Sequence, residues 1–511
     1  MPQPNDGATG LMRLTADGGR PGVGGTGTHT GTVSGNPTPT ELRVDLCVIG
    51  GGSGGLSVAA AAAQLGVSVA LVEKHKMGGD CLNYGCVPSK ALIAAGRRAQ
   101  LMRSSGPFGI APSQPAIDYS AVHNHVHGVI ANIAPNDSVE RFVGLGVTVI
   151  RASAQFASRD TVLAGDHRIK ARRFVIATGS SPALPAIPGL DRVPCFTNET
   201  IFDNREKLDH LIIIGGGPMG LELGQAYLRL GSRVTILEAQ RALSKDDPEL
   251  SEVVLEHLRA EGLDIREGTA VERVSGGTRL IDVHISEGGS SSVLQGSHLL
   301  VATGRRPNVS GLNLEAAAIK YDKSGIRVNK GLVTSNRRVF AIGDVTGGPP
   351  FTHVANYHAG IVIRRAVFRL GATVDNAIIP WVTFTEPELA HVGLTEEMAR
   401  NKHGKVRVYR WPYHENDRAQ AERATDGFVK VVTDGSGRIR GASIVGQQAG
   451  ELIQMWSLAI SQGLNIKAMT QWISPYPTLS EINKRAAFGY YAVAAAKPVV
   501  RRLIGWLTRF G

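Results

Sequence analysis

The feature that most constrains the fold is a pair of glycine fingerprints set 165 residues apart in a 511-residue chain. In "RVDLCVIGGGSGGLSVAAAAAQLGVSVALVEK", Gly50, Gly52 and Gly55 follow a short apolar strand and open an Ala-rich helix. A second apolar strand then ends on Glu73, 23 residues after Gly50. The three glycines suit a tight turn, close approach of backbone to a pyrophosphate, and close helix–strand packing. The helix N-terminus offers free N–H groups to phosphate. "HLIIIGGGPMGLELGQAYLRLGSRVTILEAQ" repeats the unit with Gly215, Gly217 and Gly220, and Glu238 closes its next strand. Two units imply two dinucleotide sites, one for a flavin and one for a nicotinamide. Glu73 and Glu238 are placed to accept from adenosine ribose hydroxyls. Glu238 would also repel a 2′-phosphate, so NAD(H) is favoured over NADP(H) despite Arg241 close by.

Two shorter pieces also recur: "VIATGSSP" from Val175 and "LVATGRRPN", whose strand contains Val301. Each is an apolar strand running into Thr-Gly. "VFAIGDVTGG" follows, with Gly343 and Asp344 at a strand end, placed to bind a sugar or ribityl hydroxyl.

Half of the four cysteines lie in "GGDCLNYGCVPSK". On an ideal helix, residues five apart are roughly 8–9 Å apart at Cα, whereas a disulfide needs about 4.4–6.8 Å. Cys81 and Cys86 can bridge only across a distorted turn, which Gly85 and Pro88 would supply. The spacing leaves a disulfide and a pair of buried reduced thiols equally open. Cys47 and Cys195 read as small buried hydrophobes.

Four cysteines are too few for a secreted disulfide framework, and a reducing, cytoplasmic setting is expected. The net charge of +11 invites a nucleic-acid reading. The basic residues are scattered and carry no nucleic-acid motif, so no such partner is expected. Residues 1–40, rich in Gly, Thr and Pro, should be disordered and lack a signal-peptide core. Leu46–Val72 is uncharged, but its glycines and serines divide it into pieces too short for a membrane span. No metal-ligand set is assigned.

Fingerprint, C-x4-C, ATG, second fingerprint, second ATG and GD occur in an order that resembles the pyridine nucleotide–disulfide oxidoreductases. These are the flavoenzymes of the dihydrolipoamide dehydrogenase and mercuric reductase type. The likeness runs from about Asp45 to Ala487. It implies an α/β fold with two Rossmann-like domains, for FAD and NAD(P), and a C-terminal α+β dimerisation domain. The expected boundaries are 41–186 and 307–375 for the FAD and central parts, 187–306 for NAD(P), 376–490 for dimerisation, and 491–511 for a basic amphipathic segment.

The resemblance further implies that Cys81 and Cys86 form the redox disulfide. Cys86 would be the flavin-facing, charge-transfer thiol and Cys81 the interchange thiol. Lys90 and Glu222 match an ion pair near the flavin. Ala154, Thr178, Gly179, Ser180, Gly343 and Asp344 fall on the FAD side, and Val271 and Gly304 on the NAD(P) side. Electrons would pass between NAD(P)H, FAD and the disulfide to a small-molecule or disulfide acceptor in a homodimer.

The match breaks at "ISPYPTLSEINKRAA". Pro477, Thr478 and Glu481 fit the family's His-Pro-Thr-x-x-Glu, but Tyr476 replaces the histidine, and Ser474 is not one either. An imidazole can shuttle a thiol proton at neutral pH, whereas a tyrosine is mostly a donor. Lipoamide turnover is therefore in question. Mercuric reductases also lack that histidine, yet the cysteine pair they carry near the C-terminus has no counterpart here. A dihydrolipoamide dehydrogenase, a metal-ion reductase and a flavoprotein redox sensor are the rival readings. In the final segment Val499, Leu503, Trp506, Leu507 and Phe510 share an amphipathic pattern with Arg501, Arg502 and Arg509. Packing on the protein's own surface is favoured there over docking on a membrane.

Overall fold

The computed structural model describes residues 39–495 and 498–510. One compact unit spans Thr40–Gly511. The tail expected to be disordered lies, up to residue 38, outside the described residues.

The strand Thr40–Ile49 is the axis of the first sheet. Its last four residues, Leu46–Ile49, are buried on both faces, as a parallel strand covered by helices requires. It pairs in parallel with Val69–Val72 on one side and His167–Ile176 on the other. Thr148–Ile150 extends the sheet beyond Val69–Val72. Thr161–Ala164 and Ala154–Ser158 add an antiparallel hairpin at the opposite edge. The strand Val339–Ala341 then returns, far along the chain, to pair in parallel with Phe174–Ile176. A second fold is thus inserted into the first.

That insert holds a four-strand parallel sheet in the order Asp264–Arg266, Arg233–Leu237, His210–Ile214, His298–Val301. A three-strand antiparallel sheet, Thr269–Gly276, Ile281–Glu287 and Ser290–Gly296, stands beside it in sequence. Where the chain enters and leaves, Ser180–Pro182 pairs antiparallel with Arg305–Pro307.

The last domain is a five-strand antiparallel sheet in the order Pro380–Thr383, Glu388–Gly393, Ile439–Gly446, Phe428–Asp434, Val406–Pro412. The helices Gln454–Ser461 and Glu481–Ala495 supply core residues to it, with Trp456 fully buried. Trp456 Nε1–H donates to Asn483 Oδ1 at 2.7 Å, so its one polar atom is satisfied inside the core.

Cys47 is buried and Cys195 partly so against an apolar cluster, as small hydrophobes are. The final helix, Pro498–Leu507, forms as expected, but its packing does not. Val499, Trp506 and Phe510 are 74%, 54% and 72% exposed. The preceding helix turns Ile482, Ala486 and Ala487 into the core, and among the described residues nothing covers the apolar face of the final helix. Among the described residues no helix is long and apolar enough to cross a membrane.

Candidate active site

The two fingerprints fold alike, and the ATG repeats explain why. Gly50 (φ +110°) leaves its strand so close to the first ATG that a Cβ there would stand 2.3 Å from Ala177 O. Gly215 (φ +116°) meets Ala302 O of the second ATG in the same way, at 2.6 Å. Ala177 N–H donates to Ile49 O and Ala302 N–H to Ile214 O, both at 2.8 Å. Each Thr-Gly turn is therefore bonded to the end of its fingerprint strand.

The two acids also match. Glu73 accepts from Gly51 N–H and His75 N–H, both at 2.6 Å. Glu238 accepts from Gly216 N–H at 2.8 Å and Gln240 N–H at 2.9 Å. A carboxylate has further lone pairs, so both keep acceptor capacity.

The dithiol segment docks onto the first fingerprint. Gly78 N–H donates to Gly51 O at 2.9 Å, and a Cβ on Gly79 (φ +59°) would sit 2.7 Å from Gly52 Cα. The two glycines before Cys81 allow that approach. Cys81 lies in the short helix Gly79–Asn83, the chain breaks at Tyr84 and Gly85, and Cys86 opens the helix Cys86–Arg103. This is the distorted turn that a bridge across this spacing would need.

Both residues are free thiols here, and they are strongly asymmetric. Cys86 is pulled down to about 6, chiefly by the hydrogen bond from Cys81, helped by Thr352 and the Lys90 charge. Cys81 is pushed up by that same hydrogen bond and by burial. Thr352 Oγ1, at the start of the helix Thr352–Ala366, lies 3.6 Å from Cys86 Sγ. A thiolate at a helix N-terminus is favoured independently by the helix dipole.

Both thiols line a cavity of about 680 Å³. Gly50, Gly52, Glu73, Ala154, Thr178, Gly179, Ser180, Gly343 and Asp344 line it as well. Gly55 lies beneath, where a Cβ would strike Gly50 O at 1.9 Å. A cavity running from a phosphate-type glycine turn to a thiolate, with a buried carboxylate on its wall, fits FAD. Asp344 accepts from Ser180 Oγ–H at 2.5 Å, and burial pushes its carboxyl up.

Lys90 lies outside this lining but pairs as expected: its Nζ is 2.6 Å from Glu222 Oε2 and 4.4 Å from the Phe384 ring centroid. Around the second fingerprint, Gly217 caps the helix Pro218–Arg229, and a Cβ on Gly220 would lie 2.0 Å from Gly215 O. Gly304 O accepts from Ala183 N–H at 3.0 Å. Val271 is partly buried against the Val274–Ile281 core.

Tyr476 and Glu481 do not line the thiol cavity of their own chain. Tyr476 Oη–H donates to Asp417 Oδ2 at 2.8 Å, and Glu481 Oε1 pairs with Arg485 Nη2 at 2.8 Å.

Three contributors escaped the sequence reading. Arg305 Nε–H donates to Ser180 Oγ at 2.7 Å, and its Nη2 lies 3.1 Å from Asp80 Oδ1. Asn198 Nδ2–H reaches that same Asp80 oxygen at 3.1 Å and Tyr84 O at 3.2 Å. Arg305 follows directly on the second ATG, which is a signal. Asn198 and Thr352 carry none.

Taken together, two dinucleotide-type folds and a polarised dithiol facing one of their cavities define a nucleotide-linked dithiol oxidoreductase. The chain belongs to the pyridine nucleotide-disulphide oxidoreductase family, whose model matches residues 44–359, with its dimerisation domain over 379–487. It is 36% identical over 453 residues to the mercuric reductase of Lysinibacillus sphaericus, covering 88% of this chain and 83% of that one. Against the dihydrolipoyl dehydrogenase of Geobacillus stearothermophilus it is 35% identical over 459 residues, covering 87% and 96%. Among solved structures, LpdA from Mycobacterium tuberculosis superposes with a TM-score of 0.81 at 26% identity, covering 88% of this chain and 100% of that one. The Cu(II) complex of the HOCl-induced flavoprotein disulfide reductase RclA from Escherichia coli gives 0.78 at 28% identity, covering 86% and 99%.

Proposed function

We propose that the protein is an FAD-dependent NAD(P)H oxidoreductase that reduces its acceptor through Cys81 and Cys86. The observation that carries this reading is the Cys86 thiol, held at about 6 beside Cys81 in the cavity of the first fingerprint. FAD, when bound, would supply the two-electron relay between nicotinamide and disulfide. The residues lining the cavity would hold it, with Asp344 as the hydroxyl acceptor.

In the reductive half, NADH would convert the Cys81–Cys86 disulfide to the Cys81 thiol, the Cys86 thiolate and NAD⁺. Cys86 keeps its negative charge, stabilised by the Cys81 S–H. Cys81 is then the thiol that meets the acceptor, and its proton must leave. Glu238 supports NADH as the donor, and Arg241 is occupied elsewhere, with its Nη2 3.2 Å from Pro248 O. The dimerisation domain supports a homodimer, in which Tyr476 and Glu481 would reach the partner's thiols. The boundaries 41–186, 187–306, 307–375 and 376–490 remain our domain assignment. Cysteine usage supports a cytoplasmic setting.

A second reading, a thiophilic metal ion as acceptor, is favoured by the fate of the Cys81 proton. Asp417 pushes Tyr476 above the ordinary phenol value, so Tyr476 is a donor and not a base. A disulfide substrate needs Cys81 deprotonated by such a base, whereas a soft metal ion displaces the proton itself. The likeness to mercuric reductases agrees with this.

The experiment compares FAD-loaded protein and Tyr476→His with dihydrolipoamide plus NAD⁺, and with NADH plus Hg(II). Hg(II)-dependent NADH oxidation abolished by Cys81→Ala, with lipoamide activity only in Tyr476→His, supports the metal reading. Brisk lipoamide turnover by the unmodified protein overturns it. No thiol-dependent turnover with any acceptor overturns the enzyme reading.

A further inference from the structure

The helix Tyr119–Ile133 carries "HNHVH", and its histidines do different things. His125 Nε2 lies 3.2 Å from Ala91 O and so faces the redox helix. His123 and His127, one turn apart, bring their ring centroids to 4.1 Å of each other. Asp203, which ends the short 3-10 turn Ile201–Asp203, brings Oδ1 to 3.5 Å from His127 Nε2. One ligand atom from each of the three residues lies within 4.8 Å of the others. None of the three lines the thiol cavity.

We propose that His123, His127 and Asp203 form a site for a divalent cation of the zinc class. Two imidazoles and a carboxylate are a set that Zn²⁺ accepts, with water completing a tetrahedron. His123 is 8% exposed, so one ligand is fixed by packing. Its Nδ1 faces Asn124 Oδ1 at 3.3 Å, and among the described residues its Nε2 takes no hydrogen bond. His127 Nε2 is also 3.1 Å from Phe202 O, an acceptor that would hold the ring nearby before metal arrives. Ligand atoms around tetrahedral zinc stand about 3.3 Å apart. His127 and Asp203 already stand 3.5 Å apart, so the contraction is toward His123 and falls on these two side chains, 38% and 70% exposed.

The consequence lies in what the site joins. The helix packs on the redox helix Cys86–Arg103, while Asp203 belongs to the chain entering the nucleotide domain. Glu199 and Thr200, just before that turn, line the thiol cavity, and Asn198 holds Asp80 next to Cys81. Bound metal would clamp this segment to the redox helix, stabilising the wall of the thiol cavity without touching the thiols.

The test uses full-length, FAD-loaded protein with Cys81 and Cys86 oxidised to the disulfide, so that the thiols cannot compete. Zinc sulfate is titrated calorimetrically, and thermal midpoints are read with zinc and with EDTA. One saturable zinc per chain is expected, raising the midpoint. His127→Ala and Asp203→Asn should each weaken binding at least tenfold and lose the rise, while their midpoints in EDTA stay at the unmodified value. Asp203→Asn changes an exposed side chain and decides the matter if the histidine variant folds poorly. Absence of saturable zinc binding to the unmodified protein overturns the site, as does unchanged affinity in Asp203→Asn.

Discussion

Lys90 Nζ lies 2.6 Å from Glu222 Oε2, and the other oxygen of that carboxylate accepts from Phe384 N–H at 2.9 Å. One largely buried carboxylate thus ties the redox helix, the second fingerprint helix and the entry to the last domain. The approach is close: a Cβ on Gly96 would stand 3.1 Å from Ala226 O. The lysine charge is thereby held on the side of the redox helix that serves Cys86.

The first prediction concerns that thiolate. In reduced protein, alkylation of Cys86 by iodoacetamide, followed by mass spectrometry, should rise with pH and be half-maximal near the value of about 6. Below it the thiol is protonated and slow; above it the thiolate reacts. Cys81→Ala should move the midpoint well up toward the ordinary thiol value of about 8.5. Lys90→Met should move it less, because the Cys81 hydrogen bond outweighs the lysine charge.

A second prediction separates the two nucleotide sites. A methyl on Gly55 would meet Gly50 O, and one on Gly220 would meet Gly215 O, at 1.9 and 2.0 Å. Gly55→Ala should leave the purified protein without bound FAD, read from its absorbance. Gly220→Ala should keep FAD and lose NADH affinity by about tenfold or more.

Nucleotide choice gives the third. Glu238→Gln retains an acceptor oxygen for one of Gly216 N–H and Gln240 N–H but removes the charge. The ratio of kcat/KM for NADH over NADPH should fall about tenfold, equivalent to ~1.4 kcal/mol. An unchanged ratio would mean that Glu238 does not discriminate.

The fourth concerns domain docking. Lys430, on the strand Phe428–Asp434 of the last domain, is 4% exposed and lies 2.8 Å from both Asp247 and Glu249 of the inserted domain and 3.0 Å from Glu396. Lys430→Met leaves these carboxylates facing one another and should cost about 3 kcal/mol, read as a lower thermal midpoint. Glu249 is pulled down to about 2, first by the Arg410 hydrogen bonds and then by Lys430, from an ordinary 4.5. Its contribution is present above pH 4.5 and is lost as pH falls toward 2. Arg410→Ala should flatten that acid loss.

The sequence by itself determined the fold class, both glycine turns with their acids, and the two thiols. Each is written in residues close together in the chain, where backbone geometry converts spacing directly into placement. The ATG repeats were legible as turns, but only the fold showed them closing on Gly50 and Gly215. The Lys90–Glu222 pair was reachable through resemblance alone, since 132 residues separate the two. What tertiary structure decided was the choice of partners. Cys81 meets Cys86, Arg305 and Asn198 converge on Asp80, Asp417 takes Tyr476, and His123 and His127 find Asp203. No local periodicity encodes such choices, because each depends on how separately folded elements pack. Among the described residues packing also left the last helix uncovered, although its own pattern predicted a buried face.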